Sequence, residues 1–201
     1  HGGCINVDRL QPAGATYFAT PEPDFLTAND VWFMPVVQKT GPDGSLYILN
    51  WYDRYHCYQD ATRDPAGVDR LKGRLYRVRY GDTPRAVGLD LERESDQELI
   101  ARLAAGNDFL RWTAQRILTE RIAEGRSEAG TVETLRQIVL DESKPLVTRH
   151  HALWTIGSAA RLPVELHLTL LKPKEPSLRA RAVRFAAEAE TAVAADENMA
   201  Q

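Results

Sequence analysis

The densest run of groups able to bind or react lies between Trp51 and Lys72: Asp53, Arg54, Tyr55, His56, Tyr58, Gln59, Asp60, Arg63, Asp64, Asp69 and Arg70. Carboxylates close to an imidazole can ligate a divalent cation, which singles out His56 and Asp60 as a metal pair. Trp51, Tyr52 and Tyr55 offer rings on which a sugar can stack. A loop held together by its own Asp and Arg pairs would use the same residues, and both readings stand. Asn29, Asp30 and Trp32 form a second, shorter group upstream. The two cysteines, Cys4 and Cys57, belong to no C-x-x-C pair and no C-x-x-C-H, so they build neither a zinc site nor a covalent haem attachment. They form a disulfide in an oxidising compartment or stay as buried thiols.

Three strands are expected to position these groups. Pro35 to Lys39 and Ser45 to Trp51 flank Gly41-Pro42-Asp43-Gly44, where proline presets φ and Asp-Gly accepts the turn dihedrals, a hairpin signal. Gly73 to Tyr80 reads as the third strand, with Leu75, Tyr76 and Val78 set among Arg74, Arg77 and Arg79. The connection from Tyr52 to Lys72 is about twenty residues, far longer than hairpins use, and loops of that length in compact domains commonly bind or react. With the Asp43-Gly44 turn at one end of the sheet, the Tyr52 to Lys72 loop and the approach from Thr27 to Trp32 are expected together at the other. Three such strands bury too little to stand alone, so further strands are expected in a longer parent protein.

The chain changes character near residue 90. Twelve of its 16 aromatic residues and nine of its 13 glycines precede that point, whereas 18 of its 25 alanines follow it. Aromatic, glycine-punctuated sequence favours strands and turns; Ala, Leu, Arg and Glu favour helix. A connector over 83–94 ends at Ser95, where Ser-Asp-Gln-Glu to Glu98 spells a capping box.

Beyond it the tetrapeptide Arg-x-x-Ala recurs at Arg111 to Ala114, Arg149 to Ala152 and Arg179 to Ala182, at spacings of 38 and 30 residues. Each copy follows a polar loop, and an apolar helical segment precedes each loop. A helix pair recurring at 30 to 40 residues is the signature of an α-solenoid of the HEAT type. A bundle with coincidental alanine spacing is the alternative. Small alanines let paired helices approach, while Ile117, Leu118, Leu153, Ile156, Val183 and Phe185 are expected to fill the seam. Arg111, Arg149 and Arg179 form a ladder bonding to carboxylates or carbonyls of adjacent repeats. Trp112 and Trp154 are expected in the seam, and His150 and His151 at the surface or in packing. A protein-binding groove on the helices is the functional alternative.

Composition narrows the classes. With 43% hydrophobic and 26% charged residues, 201 residues can bury one large or two small cores. A balance of 25 Lys+Arg against 28 Asp+Glu, net −3, argues against a general nucleic-acid binder. No apolar run approaches the roughly 20 residues that span a bilayer. The start at His1, inside a Gly-rich turn, reads as a fragment of a longer chain.

Taken together, His1 to Asn6, Phe25 to Asp30, Trp32 to Pro35, Gly41 to Asp53 and Gly73 to Val78 resemble the end of a β-propeller of the glucose/sorbosone dehydrogenase class. Propeller followed by HEAT repeats resembles the membrane-bound-dehydrogenase-like proteins of planctomycetes and verrucomicrobia, in many of which a cytochrome c domain follows. The resemblance implies an α+β chain in two parts. Residues 1–82 would be an antiparallel sheet from the last blade and its approach, 83–94 a linker, and 95–201 an all-α, HEAT-like solenoid of about three helix pairs. It implies an extracytoplasmic, periplasmic protein, membrane-associated through parts outside this chain. It also implies a parent that oxidises a sugar or alcohol with pyrroloquinoline quinone and calcium and passes electrons to haem c in a further domain.

One departure weakens the catalytic part. In the family, arginines near the inner strand of a late blade meet the cofactor; the nearest positions here, Val31 to Met34, hold none. The fragment alone is therefore expected to be inactive. The second expectation is a non-catalytic propeller with a carbohydrate or protein ligand on the face carrying Asn29, Asp30, Trp32, Asp53, Arg54, Tyr55, His56, Asp60, Arg63 and Asp64, the helices serving as a scaffold for a protein partner.

Overall fold

The computed structural model describes residues 3–13, 16–54, 62–67, 71–172 and 174–199, with side chains described through Glu188. The chain is mixed α and β and divides into two compact units, His1–Arg85 and Ala86–Gln201. Tyr55, His56, Cys57, Asp60, Asp69 and Arg70 lie outside the described residues.

In the first unit, β3 (Pro35–Thr40), β4 (Leu46–Asn50) and β5 (Arg74–Val78) form an antiparallel sheet in that order, matching the three expected strands. The hairpin turn closes as its residues dictate. Gly44 takes φ 75°, open to glycine at no steric cost, and the Gly41 N–H donates to Ser45 O at 2.8 Å. Asp43 ties this turn to the far strand: its Oδ2 accepts from Arg77 Nε at 2.7 Å, with the two side chains 2% and 15% exposed. One sheet face packs inward on Ile48, fully buried, with Phe33 and Tyr76 in ring contact at 5.9 Å. On the other face Val37, Leu49 and Leu75 lie in one cross-strand row, and all three are exposed.

Two further strands were not expected. β1 (Cys4–Ala13) and β2 (Thr16–Thr27) pair antiparallel as a separate two-stranded ribbon, with a register shift between Ile5 and Val7. Pro12, Pro21 and Pro23 interrupt any alternation, and Leu10, Tyr17, Phe18 and Phe25 are all exposed, so no buried face writes a period into the sequence. Arg9 pairs with Glu22 at 2.7 Å, and Asn6 donates to Asp24 at 2.7 Å across the ribbon.

The second unit holds, among the described residues, six α-helices: α1 (Asp96–Arg102), α2 (Asp108–Ala123), α3 (Thr131–Leu140), α4 (Leu146–Ala159), α5 (Val164–Leu170) and α6 (Pro176–Met199). The capping box forms as spelled: Ser95 Oγ accepts from the Glu98 N–H, and Glu98 returns a carboxylate to the Ser95 N–H at 2.8 Å. Helices pack in pairs, α1 with α2, α3 with α4 and α5 with α6; α2 also packs on α4, and α1 on α3. Ala114, Ala152 and Ala182 of the repeated tetrapeptide are all buried, letting backbones approach, and Leu99, Leu118, Leu135, Leu153, Leu166 and Leu178 fill the core around them. Val183 differs from expectation at 59% exposed. The buried stripe of α6 runs Leu178, Ala182, Phe185, and Val183 falls off it.

The entry to this unit is locked by a network that sequence reading missed. Asp96, 1% exposed at the first turn of α1, accepts from Arg121 Nη1 at 2.8 Å, the Glu128 N–H at 2.8 Å and Thr131 Oγ1 at 2.7 Å. Arg121 also donates to Glu94 O and Glu92 O. Burial pushes the Asp96 carboxyl up, and the Arg121, Thr131 and Glu128 bonds more than offset it, holding the group below its ordinary 3.8. The partners lie 25 to 35 residues apart in sequence.

Candidate functional site

At the end of the sheet opposite the Asp43-Gly44 turn, the start of β3, the end of β4 and the start of β5 frame an open groove of about 580 Å³, lined by Val36, Val37, Leu49, Asn50, Trp51, Gly73, Arg74 and Leu75. Trp51 follows β4 directly and is 62% exposed at this groove. The segment just before β3 reaches this end: the Trp51 N–H donates to Met34 O at 3.1 Å.

Asn50 is the hinge pin. It is 2% exposed, and its Oδ1 accepts from the Met34 N–H at 2.6 Å and the Tyr52 N–H at 3.2 Å, so one side chain clamps the segment before β3 to the segment after β4. With Oδ1 so occupied, Nδ2 is buried without an acceptor. Tyr52 then takes φ 57°, uncommon for a residue with a side chain, and this places its ring between two partners. Trp32 stacks on it at 5.7 Å, and the Arg74 guanidinium carbon stands 3.5 Å from its ring centroid. Arg74 also donates from Nη1 to Lys72 O at 2.6 Å. The result is a locked Trp32, Tyr52 and Arg74 stack whose cation reaches the groove.

The other expected site residues take simpler places. Asp30 Oδ1 accepts from the Trp32 N–H at 2.9 Å, and Phe33 N donates to Asp30 O at 3.1 Å, closing the turn that presents Trp32; Asn29 beside it is exposed. Asp53 is buried. Arg54 and Asp64 approach to 3.9 Å, and Arg63 is exposed. Cys4 opens β1, and its expected disulfide partner Cys57 falls outside the described residues, as do Tyr55 and the metal pair His56 and Asp60. No group of three or more metal-ligating side chains converges among the described residues.

On the helical unit the three arginines occupy the fourth position of α2, α4 and α6 and fold back on the chain that precedes their own helix. Arg111 Nη1 donates to Ala105 O and Gly106 O at 2.6 and 2.9 Å, Arg149 Nε to Val139 O at 2.9 Å, and Arg179 Nη1 to Lys174 O at 2.8 Å. Carbonyls are the acceptors, as one expectation had it, but they lie within a helix pair and not in a neighbouring one. Arg149, 6% exposed, reaches a carbonyl that the end of α3 leaves without a helical donor.

Trp112 and Trp154 stack nearly parallel at 5.6 Å, joining α2 to α4, yet Trp112 remains 53% exposed, so only part of it fills the seam. His151 is 2% exposed, edge-on to both tryptophans at 5.0 and 5.3 Å, with Nδ1 2.6 Å from Gln115 Oε1. Burial, with Arg111 and His150 adding, pulls its pKa down to about 4. His150 stacks on Trp154 and contacts Ser177 Oγ through Nε2 at 2.8 Å.

No described helix is long and apolar enough to cross a membrane. No curated protein and no solved structure matches the chain. Residues 3–82, the first unit with its ribbon, groove and stack, match a protein family described as a domain of unknown function, DUF7133.

Proposed function

We propose that the chain is a recognition module from an extracytoplasmic protein: the closing part of a β-propeller that binds a carbohydrate without redox chemistry, continued by a HEAT-like array that docks a protein partner. The observation that carries the reading is the groove at the sheet end. Trp51 offers an exposed ring, and the neighbouring Trp32, Tyr52 and Arg74 are already immobilised, so a sugar ring would find an aromatic surface and fixed polar groups at low ordering cost. The antiparallel order β3-β4-β5, with a tight turn and then a long connection, supports the propeller part, since a blade is a small antiparallel sheet of this kind. Pairing of successive helices, with α2 on α4 and α1 on α3, supports the HEAT-like part.

The resemblance to quinone-dependent dehydrogenases makes the opposite prediction, and one experiment separates them. The chain is titrated with a panel of neutral and acidic oligosaccharides by calorimetry. In parallel a longer chain carrying the whole propeller is supplied with pyrroloquinoline quinone, calcium, the same sugars and an artificial electron acceptor. Saturable binding that Trp51→Ala weakens, without acceptor reduction, is expected. Acceptor turnover would favour the oxidoreductase reading, and no binding across the panel would remove the carbohydrate reading.

A further inference from the structure

Resting on the carbohydrate reading of the groove, we infer that its ligand is an acidic carbohydrate, with the sugar ring on Trp51 and an anionic oxygen group on Arg74. The groove walls are aliphatic and aromatic, from Val37, Leu49, Leu75 and Trp51, and among the described residues Arg74 is the one charged side chain lining it. Arg9, Arg54, Arg77 and Arg79 of the same unit each stand beside a carboxylate, whereas Arg74 has none among the described residues. Among the described residues it meets the Tyr52 ring face and Lys72 O.

A guanidinium partly withdrawn from water and held flat on a ring keeps donors arranged for two oxygens of one planar or tetrahedral anion. The neighbouring Asn50 Nδ2 is a second donor without an acceptor among the described residues. A neutral sugar over Arg74 would further desolvate an uncompensated cation, while a carboxylate or a sulfate ester on the ring would neutralise it.

The test uses the whole chain and three probes: a neutral glucan hexamer, a galacturonate hexamer and a sulfated galactan hexamer, titrated at low and high salt. At low salt at least one acidic probe should bind about tenfold or more tightly than the neutral one, as one added charge-assisted contact requires. That margin should shrink at high salt. The uronate and sulfate arms identify which anion the groove prefers. Arg74→Gln should bring the acidic and neutral probes to equal affinity with the circular dichroism spectrum unchanged, and Arg74→Lys should keep part of the margin. Equal affinity for neutral and acidic probes, or a margin that survives in Arg74→Gln, would overturn the inference and leave carbohydrate binding standing. Absence of binding by all three probes would remove both.

Discussion

Replacing Asp96 by alanine removes the acceptor shared by Arg121, the Glu128 N–H and Thr131 Oγ1, in a place where the carboxylate is 1% and the guanidinium 12% exposed. Removing one partner of a buried ion pair typically costs about 3–5 kcal/mol. Arg121 keeps its bonds to Glu94 O and Glu92 O, which places the expected loss at the low end, about 3 kcal/mol. For the roughly 116 residues of the second unit, an unfolding entropy of about 2.1 cal/mol/K per residue converts this to a fall in Tm of about 12 °C. The assay is thermal and urea unfolding followed by the helical circular dichroism signal.

Acid supplies a second handle on the same group. The folded carboxyl sits below its ordinary 3.8, so its stabilisation is complete above that value and is lost as pH falls through the folded pKa. Wild type should therefore lose helical stability below about pH 4 more steeply than Asp96→Ala. A variant within about 0.5 kcal/mol of wild type, with an unchanged acid limb, would refute the claim that this network locks the entry to the helices.

His151 is about 4 folded against 6.5 unfolded, so its neutral form supports the helical unit above pH 6.5 and that support is lost as pH falls toward 4, by up to about 3 kcal/mol; a pH series of urea midpoints should show this slope in wild type and lose most of it in His151→Gln. Arg149→Met should cost about 2 kcal/mol, because it leaves Val139 O buried without a donor, whereas Arg179→Met, nearer water, should cost about 0.5 kcal/mol; equal losses by chemical denaturation would contradict the burial argument. Gly157→Ala would set a Cβ 2.5 Å from the Phe185 ring and should lower the urea midpoint by about 1–3 kcal/mol of stability, an expectation that an unchanged midpoint would defeat.

Local signals survived the step from sequence to structure, and distant ones did not. The Gly41 to Gly44 turn and the Ser95 capping box each depend on residues within one turn of chain, where φ preference and side-chain reach decide the outcome. The β1–β2 ribbon was invisible because exposure on both sides leaves no alternation to read, and its prolines argue against strands. The Trp32, Tyr52 and Arg74 stack joins residues 20 to 42 positions apart and depends on Tyr52 taking a positive φ, which its residue type does not announce. Asn50 looked like any strand residue; only the meeting of Met34 and Tyr52 at its amide shows why it is buried. Asp96 was read as part of a helix start, and its reach to Arg121 and Thr131 depends on how three helices pack.

The most direct test is a crystal structure of the chain soaked with the acidic oligosaccharide that binds best in solution. The prediction is a sugar ring lying on Trp51, with its anionic oxygens within about 3.2 Å of the Arg74 guanidinium. A ligand bound elsewhere, or a Trp51 and Arg74 groove filled by the sheet face of another copy while the sugar stays in solvent, would contradict it.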